Sequence, residues 1–201
     1  AAAIKNKYPD TIIITGGNHA TFNPEDLLAD NFDYVLFSEA EATFETFLKA
    51  IIDNYPDLSK LRELSGIYYK DKDTNKIIRN SATPLIQNLD DLPVIDYSKI
   101  NLSDYFRYSG LRYITLETSR GCRYNCRFCS TVHMWQNRHR SKSPARVLSE
   151  FRNAEKLGIE YILVVDDDFA LDEKNAQAIC RELIKNGVSV KWSTTIGVNS
   201  I

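Results

Sequence analysis

The sequence predicts an α/β protein in which parallel strands alternate with helices. Residues 11–15 (T-I-I-I-T) are β-branched and almost wholly apolar, as is typical of a buried parallel strand. Between residues 113 and 193, a strand, a loop, a helix, a strand, a helix and a strand follow one another, which indicates repeated βα units. In such folds ligands bind at the carboxyl ends of strands, so the segments that follow the strands are where a functional site is expected.

Length, charge and cysteine content narrow the class of protein. A chain of 201 residues accommodates one large or two small domains. A net charge of −2 gives no indication of binding to nucleic acid or to an anionic membrane. The sequence contains neither an apolar run long enough to span a bilayer nor a signal-peptide pattern. Three of the four cysteines are clustered, unlike a secreted disulfide framework, so we expect a reducing cytoplasm.

The amino-terminal part predicts helix, strand, loop, strand and helix. Gly16 and Gly17 directly follow the first strand, where two glycines let the backbone approach a ligand closely. Asn23 is the expected cap of a helix that begins at Pro24. A second strand over 33–37 precedes an amphipathic helix. The apolar face expected on that helix comprises Phe44, Phe47, Leu48, Ile51 and Ile52.

The middle of the chain, residues 57–111, predicts a linker that contains a β-hairpin. Residues 66–70 and 76–79 flank the turn residues 71–75. Pro93 favours an extended connection. The aromatic residues of this region either line a substrate channel or pack the linker against the two domains, and we expect packing. These residues are Tyr97, Tyr105, Phe106, Tyr108 and Tyr113.

The carboxyl-terminal part predicts a strand over 113–117 that leads into a loop rich in cysteine. Ser143 and Pro144 indicate the start of the following helix, and Asp172 indicates the start of the next one. The strand between these helices, 161–165, ends in three consecutive aspartates. Cys180 follows the helical period of the second helix and is expected to be a core residue.

The cysteine loop, residues 120–130 (R-G-C-R-Y-N-C-R-F-C-S), is the strongest functional signal. Cys122, Cys126 and Cys129 lie close enough along the chain for their thiolates to converge on one metal centre. A zinc site needs a fourth protein ligand, and none stands at comparable spacing. A [4Fe–4S] cluster held by three cysteines instead leaves one iron open. A zinc knuckle with an unseen ligand and ordinary buried thiols are the alternatives.

The spacing Cys-x3-Cys-x2-Cys, with Phe128 just before the last cysteine, resembles the signature of the radical S-adenosylmethionine (radical SAM) enzymes. The resemblance implies that Cys122, Cys126 and Cys129 bind three irons and that S-adenosylmethionine chelates the fourth. Phe128 is then a cofactor-binding residue. Reductive cleavage of the cofactor would give a 5′-deoxyadenosyl radical that abstracts hydrogen from a substrate. The family contacts the amino group of the cofactor after its second strand, where this chain has Asp166, Asp167 and Asp168; helix capping and surface solvation are the alternative roles.

Residues 1–56 resemble the carboxyl-terminal half of the Rossmann-like cobalamin-binding domain that precedes the barrel in one radical SAM subgroup. Gly16, Gly17, His19 and Thr21 match a Gly-Gly-x-His-x-Thr turn that lies near the cobalamin nucleotide tail. The resemblance implies that Gly16, Gly17 and His19 bind this cofactor; a tight turn and an ordinary loop histidine are the alternatives. The glycines of the subgroup's Gly-Glu-Gly-Glu segment are replaced here by serine and alanine, and its Asp-x-His-x-x-Gly motif is absent from these residues.

The segment with Trp135, Arg138, Arg140 and Pro144 resembles the anaerobic magnesium-protoporphyrin IX monomethyl ester oxidative cyclases. We therefore expect half of a Rossmann-like domain (1–56), a linker (57–111) and the first half of a radical SAM partial (β/α) barrel (112–201). Both ends look truncated, so we expect a fragment that is inactive by itself.

The resemblance implies cobalamin-dependent oxidative cyclisation of a small-molecule substrate such as a porphyrin, with flavodoxin or ferredoxin as the electron donor. A cobalamin-dependent radical SAM methyltransferase is the alternative. Two further alternatives belong to other classes of protein: an iron–sulfur electron carrier and a zinc-stabilised binding module. Four basic residues either bind substrate carboxylates or line a polar loop, and we expect the polar loop. These residues are His133, Arg138, His139 and Arg140.

Overall fold

The described part of the chain contains two larger sheets, each with helices packed on it, and one two-stranded sheet. The computed structural model describes residues 1–54, 57, 59–71 and 73–200. It divides into two compact units, Ala1–Ile86 and Gln87–Ile201. The division falls inside the segment that we interpreted as a linker. Pro56, at the end of the first predicted domain, lies outside the described residues.

The first unit is built on a mixed four-stranded sheet. Its strand order is β1-β2-β3-β4, in which β1 pairs parallel with β2 and the other pairs are antiparallel. The strands and helices of this unit are α1 (Ala2–Lys7), β1 (Ile14–Thr15), α2 (Asn18–Phe22), α3 (Pro24–Ala29), β2 (Tyr34–Leu36), α4 (Glu41–Asn54), β3 (Ile67–Lys70) and β4 (Ile77–Arg79).

The predicted hairpin forms, and it extends the first sheet. Strand β3 pairs with β2 through partners such as Leu36 and Ile67, which are both buried in the core of this unit. The turn is closed by the Asp71 carboxylate, which accepts hydrogen bonds from the backbone N–H and the hydroxyl of Thr74. Lys72, in the predicted turn, lies outside the described residues. The segment that precedes the division between the units is thus part of the first sheet.

Three local predictions in this unit hold only in part. The first strand covers only Ile14–Thr15, because the N–H of Ile13 donates to the Asp33 carboxylate at 2.7 Å instead of to a neighbouring strand. Asn23 is the N-cap residue of α3, which begins at Pro24 as predicted, but its side chain makes no cap hydrogen bond. Helix α4 faces the sheet with Phe47 fully buried. The expected face is not buried as a whole, because Phe44, Leu48 and Ile52 are exposed.

The second unit contains a parallel three-stranded sheet in the order β5-β8-β9. Alternate residues of β5 and β8 are buried, and these pack with α7 and α8 in one core. The predicted βα units are therefore confirmed. The elements of this unit are α5 (Leu102–Ser109), β5 (Tyr113–Leu116), β6 (Ser119–Arg120), α6 (Thr131–Trp135), β7 (Arg140–Ser141), α7 (Pro144–Lys156), β8 (Tyr161–Val164), α8 (Glu173–Lys185) and β9 (Lys191–Ser193).

The predicted helix starts in the second unit are confirmed by their capping hydrogen bonds. The Ser143 hydroxyl accepts from the N–H of Arg146 at 3.1 Å, and the Asp172 carboxylate accepts from the N–H of Asn175 at 3.1 Å. Cys180 is partly buried and packs against the core, as expected.

The expected packing of the linker aromatics holds only in part. Tyr97 and Phe106 pack against the core of the second unit, whereas Tyr105 and Tyr108 are 65% and 82% exposed. Residues Leu89–Asp91 form a 3-10 turn before the chain becomes extended at Leu92. Of the aromatic residues in helix α5, Phe106 therefore faces the core, whereas Tyr105 and Tyr108 face solvent.

The longest helix in the described part of the chain is too short to cross a membrane. Helix α4 has 14 residues, and a helix needs about 20 apolar residues to span the hydrocarbon core. None of the described helices combines the length and the apolar character of a membrane span.

Glu155 links α7 to the segment before β9 and is expected to make the stability of the second unit depend on pH. Its carboxylate accepts hydrogen bonds from the N–H and hydroxyl of Ser189 and from Arg152. The Ser189 backbone hydrogen bond is the main cause that lowers the pKa of Glu155 from 4.5 to about 2. A lowered pKa means that the carboxylate stabilises the fold above its ordinary pKa, and that this contribution is lost as the pH falls from about 4.5 towards about 2.

We expect Glu155→Gln to lower the free energy of unfolding by about 1 kcal/mol at pH 7 and by less at pH 3. Urea unfolding followed by tryptophan fluorescence measures this unit, because Trp135 and Trp192 both lie in it. Glu160→Gln is the control, since Glu160 is exposed on the same unit. An equal loss at both pH values would show that the charge of Glu155 does not contribute.

Candidate functional site

The cysteine loop and the three aspartates meet at the carboxyl edge of the second sheet. Strands β5 and β8 are parallel, with Leu116 opposite Val164 at their ends. The N–H of Val165 donates to the carbonyl of Leu116 at 2.8 Å, which continues the pairing to the start of the acidic segment. The loop that leaves β5 therefore begins next to the aspartates that leave β8, as the sequence predicted.

Asp166 is buried and its carboxylate is surrounded by donors from the chain itself. It accepts hydrogen bonds from the N–H groups of Thr118 and Ser119 at 2.6 and 3.0 Å. It also accepts from their hydroxyl groups at 2.5 and 2.9 Å. Asp166 is 4% exposed. These four bonds fix the residues that lead from β5 into the cysteine loop.

Asp167 contacts both flanks of the cysteine loop. One carboxylate oxygen accepts from the N–H of Gly121 at 2.9 Å, and the other accepts from the Thr131 hydroxyl at 3.0 Å. Gly121 directly precedes Cys122, and Thr131 comes shortly after Cys129. One exposed carboxylate thus joins the start of the loop to its end.

Asp168 is the most deeply buried of the three aspartates, at 2% exposed. Its carboxylate accepts the N–H of Ala170 at 3.2 Å, which turns the chain towards α8. Its negative charge acts on two neighbours, raising the pKa of Cys122 and opposing the fall in the pKa of His139. Burial is the main cause that lowers the pKa of His139, so the structure favours its neutral form. Whether any of the three aspartates contacts a cofactor stays a prediction.

The three loop cysteines carry free thiols. Cys126 is exposed, and Cys122 and Cys129 are partly exposed. The N–H of Cys129 donates to the carbonyl of Cys126 at 3.1 Å, so the chain turns between these two residues. Burial raises the pKa of the Cys122 thiol, with the charges of the nearby aspartates adding to the effect. A bound cation would reverse this tendency, because metal ligation favours the thiolate.

The residue types of the loop fit an iron–sulfur cluster, although the side chains are not gathered around a common point. In residues 1–54, 57, 59–71 and 73–200, no three His, Cys, Asp or Glu side chains form a group that could hold a metal ion. Three free thiols on one short, mostly exposed loop are nevertheless the donors that such a cluster requires. Binding would draw the loop together, as metal sites commonly form only with their metal. The three cysteines as ligands therefore stay a prediction.

Comparison with known proteins identifies the second half of the chain. Residues 116–199, which include the whole cysteine loop, match the Radical SAM superfamily. This part of the chain is a radical SAM domain. The whole chain is 33% identical to an uncharacterised methyltransferase of Pyrococcus horikoshii and covers 43% of that protein. It is 26% identical, over 96% of its length, to the anaerobic magnesium-protoporphyrin IX monomethyl ester cyclase of Cereibacter sphaeroides, and covers 32% of that protein.

The fold is shared with a solved cobalamin-dependent radical SAM enzyme. The structure of OxsB, with aqua-cobalamin and S-adenosylmethionine bound, superposes with a TM-score of 0.72 over 95% of this chain and 26% of that one. The sequence identity is 23%, so this likeness concerns the fold. It confirms the predicted α/β class, and the chain spans less than half the length of each of these relatives.

Gly121 holds the radical SAM domain's cysteine loop against the segment that follows it. Its φ of +90° lies in the left-handed region that favours glycine, and a Cβ at this position would overlap the Arg138 carbonyl oxygen. The antiparallel pairing of β6 with β7 brings the two segments together. The guanidinium groups of Arg120 and Arg140 lie 5.8 and 5.5 Å from the ring centre of Trp135.

The sequence analysis missed the residues that support the loop. They are Thr118, Ser119, Gly121 and Thr131. The available signal was the small hydroxyl-bearing and glycine residues on both sides of the cysteine motif. Their partners lie 36 positions away along the chain for Thr131 and 46 to 48 positions away for the residues before the first cysteine.

The residues that resemble a cobalamin-binding turn lie at the carboxyl end of β1 in the first unit. Gly17 has a φ of +95° and open space where a Cβ would stand, so the backbone is accessible there. The Thr21 hydroxyl donates to the Gly17 carbonyl and accepts from the N–H of Ser38, each at 3.0 Å. Ser38 replaces the first glycine of the subgroup's Gly-Glu-Gly-Glu segment and has a φ of +61°. Glycine adopts this left-handed conformation more easily than serine does. His19 is exposed and lies 4.0 Å from Asp26.

A cavity of about 960 Å³ in the first unit lies away from this turn. Its lining includes Ile12 and Asp33, which precede β1 and β2, so it opens at the amino ends of the parallel strands. Two ion pairs lie in its lining, with Lys5 2.7 Å from Asp33 and Arg62 3.4 Å from Asp71. The cavity therefore lies at the opposite end of the parallel strands from Gly16, Gly17 and His19.

Proposed function

We propose that the complete protein is a radical SAM enzyme that holds a [4Fe–4S] cluster on Cys122, Cys126 and Cys129. The observation that carries the proposal is the loop of three free thiols at the carboxyl edge of a parallel sheet, inside the matched radical SAM domain. When bound, such a cluster supplies the electron that cleaves S-adenosylmethionine to a 5′-deoxyadenosyl radical, which abstracts hydrogen from the substrate.

The chain's own residues would orient this cofactor. Phe128 is 93% exposed, so its ring is free to pack on a cofactor placed over the loop. The carboxylates at the end of β8 provide negative charge beside the loop, which suits an ammonium group. Burial is the main cause that raises the pKa of Cys122, and the charges of Asp168 and Asp167 add to it. We propose Phe128 and Asp168 as the cofactor-facing part of the site.

We further propose that the reaction depends on cobalamin. Support comes from the exposed turn at Gly16, Gly17 and His19 and from the fold shared with a cobalamin-dependent enzyme. The accessible backbone at Gly17 would let a ligand approach the strand end closely. Cobalamin bound there would supply a cobalt centre able to carry a methyl group or an electron.

Two reactions are proposed for this site. Oxidative cyclisation of a porphyrin is favoured by the resemblance around Trp135 and by the relative from Cereibacter sphaeroides, which is named as a cyclase. Methyl transfer is favoured by the higher identity to the Pyrococcus horikoshii protein, which is named as a methyltransferase. In both cases we propose a small-molecule substrate, an electron donor such as flavodoxin or ferredoxin, and a cytoplasm low in oxygen.

Anaerobic reconstitution of the complete protein with iron and sulfide tests the first part of the proposal. We expect about four irons per chain and reductive cleavage of S-adenosylmethionine to 5′-deoxyadenosine. Four irons without cleavage would favour an electron carrier. Zinc bound in equal amount to protein, with no uptake of iron, would favour a zinc-stabilised module.

S-adenosylmethionine labelled in its methyl group separates the two reactions. Methyl transfer puts the label into the product, and oxidative cyclisation of a porphyrin does not. The same assay without added cobalamin tests the cobalamin proposal, because a cobalamin-dependent reaction would stop while the reductive cleavage continued.

A further inference from the structure

We infer that Asp167 is a positioning residue, which clamps the two flanks of the cysteine loop by hydrogen bonds. This inference rests on the proposed function, because it concerns the loop that would hold the cluster. It departs from the sequence-based prediction, in which Asp167 contacts the amino group of the cofactor through its charge.

The clamp is visible in the two bonds of one carboxylate. The Gly121 N–H and the Thr131 hydroxyl each donate to a different oxygen of Asp167, at 2.9 and 3.0 Å. All three cysteines lie between Gly121 and Thr131. Joining the ends of a loop restricts the conformations of everything between them, so the Asp167 bonds limit how far apart the three cysteines can move.

The interior of the loop has little structure of its own. Within residues 122–129, the described backbone makes one hydrogen bond to itself, from the Cys129 N–H to the Cys126 carbonyl. The ends of the loop are therefore held while its middle is left to adjust. Such an arrangement suits thiols that must close around a bulky cluster.

Asp166 gives the clamp a rigid support. It is buried and accepts four hydrogen bonds from Thr118 and Ser119, which ties the end of β8 to the residues before the loop. Asp167 is the next residue, and it carries this connection outward to Gly121 and Thr131. Asp166 thus holds the residues before the cysteine loop, and Asp167 holds the two flanks of the loop itself.

Asp167→Asn distinguishes the two possible roles of residue 167, a hydrogen-bonded clamp and a contact through charge. An asparagine keeps an oxygen that accepts from the Gly121 N–H, and its NH₂ group donates to the Thr131 oxygen. Asp167→Asn therefore preserves both bonds of the clamp without the charge. A contact with an ammonium group would instead lose its main attraction when the carboxylate becomes neutral.

Four variants of the complete protein test the inference: Asp167→Ala, Asp167→Asn, Thr131→Val and Thr131→Ser. The first readout is amide hydrogen exchange over residues 120–131 in the protein before reconstitution. We expect Asp167→Ala to speed exchange at Gly121 about threefold to tenfold and Asp167→Asn to stay near wild type. Thr131→Val is expected to speed it less, because the Gly121 bond remains, and Thr131→Ser to resemble wild type.

The second readout is the iron bound per chain and the electron paramagnetic resonance spectrum of the reduced cluster, with and without S-adenosylmethionine. We expect Asp167→Ala and Thr131→Val to retain less iron and to give a broadened spectrum, and the two conservative variants to restore the wild-type values. Thr131→Val carries the test if Asp167→Ala does not fold, because valine closely matches threonine in shape.

The inference is overturned if Asp167→Asn behaves like Asp167→Ala in the spectrum with S-adenosylmethionine, since charge would then be what matters. Wild-type exchange and iron retention in Asp167→Ala would also overturn it. If the wild-type protein binds no iron, the proposed function fails, and the exchange measurements on the same protein still decide whether the clamp exists.

Discussion

Gly121→Ala is expected to destabilise the second unit strongly and to prevent cluster assembly. Two features require glycine at this position. Its φ of +90° lies in the left-handed region that favours glycine, and a Cβ would overlap the Arg138 carbonyl oxygen. The backbone of residue 138 cannot move aside freely, because the β6–β7 pairing holds the adjoining segment. We expect a loss of about 3 kcal/mol in the free energy of unfolding, measured by urea with tryptophan fluorescence.

Gly187→Ala is the matched control for this prediction. Gly187 also has a positive φ, of +60°, but a Cβ there would meet nothing within 4 Å. It should therefore show only the cost of the left-handed conformation, about 1 kcal/mol, with the iron content unchanged. Equal losses in the two variants would mean that the approach of Gly121 to Arg138 does not contribute.

The second large effect is expected from the loop cysteines. Changing any one of Cys122, Cys126 or Cys129 to serine should lower the iron bound after reconstitution from about four per chain to near zero, because each thiolate holds one iron. Cleavage of S-adenosylmethionine should be lost with it. Cys126→Ser is the most informative of the three, since Cys126 is exposed and its replacement should leave the fold unchanged.

Cys180→Ser is the internal control for the cysteine series. Cys180 packs against the helical core of the second unit, away from the cysteine loop in sequence. This change should lower the free energy of unfolding by about 1 kcal/mol and leave the iron content intact. If Cys126→Ser kept its full iron content, or Cys180→Ser lost it, the ligand set proposed here would be wrong.

Local sequence signals predicted the helix starts well where the capping side chain makes its hydrogen bond within the same few residues. Ser143 caps α7 and Asp172 caps α8 with their own side chains, so both starts follow from a few neighbouring residues. Asn23 carries the same signal but makes no cap bond, so sequence preference alone did not decide it. The hairpin of β3 and β4 was also predicted, whereas its pairing with β2 was not, because that depends on distant partners.

Burial was harder to predict than periodicity. Helix α4 has the expected apolar stripe, yet only Phe47 of the predicted face is buried, while Phe44, Leu48 and Ile52 are exposed. A periodic pattern shows which residues share a helix face, and it does not show how much of that face a neighbour covers.

The sequence alone determined that three thiols stand on one short loop after a parallel strand, because spacing along a covalent chain limits how far apart they can lie. Only the tertiary structure decided what the aspartates after β8 do. Asp166 and Asp167 meet Thr118, Ser119, Gly121 and Thr131 because parallel pairing aligns the ends of two strands that are distant in sequence. Hydrogen bonds between such distant segments follow from the packed fold, and no local pattern encodes them.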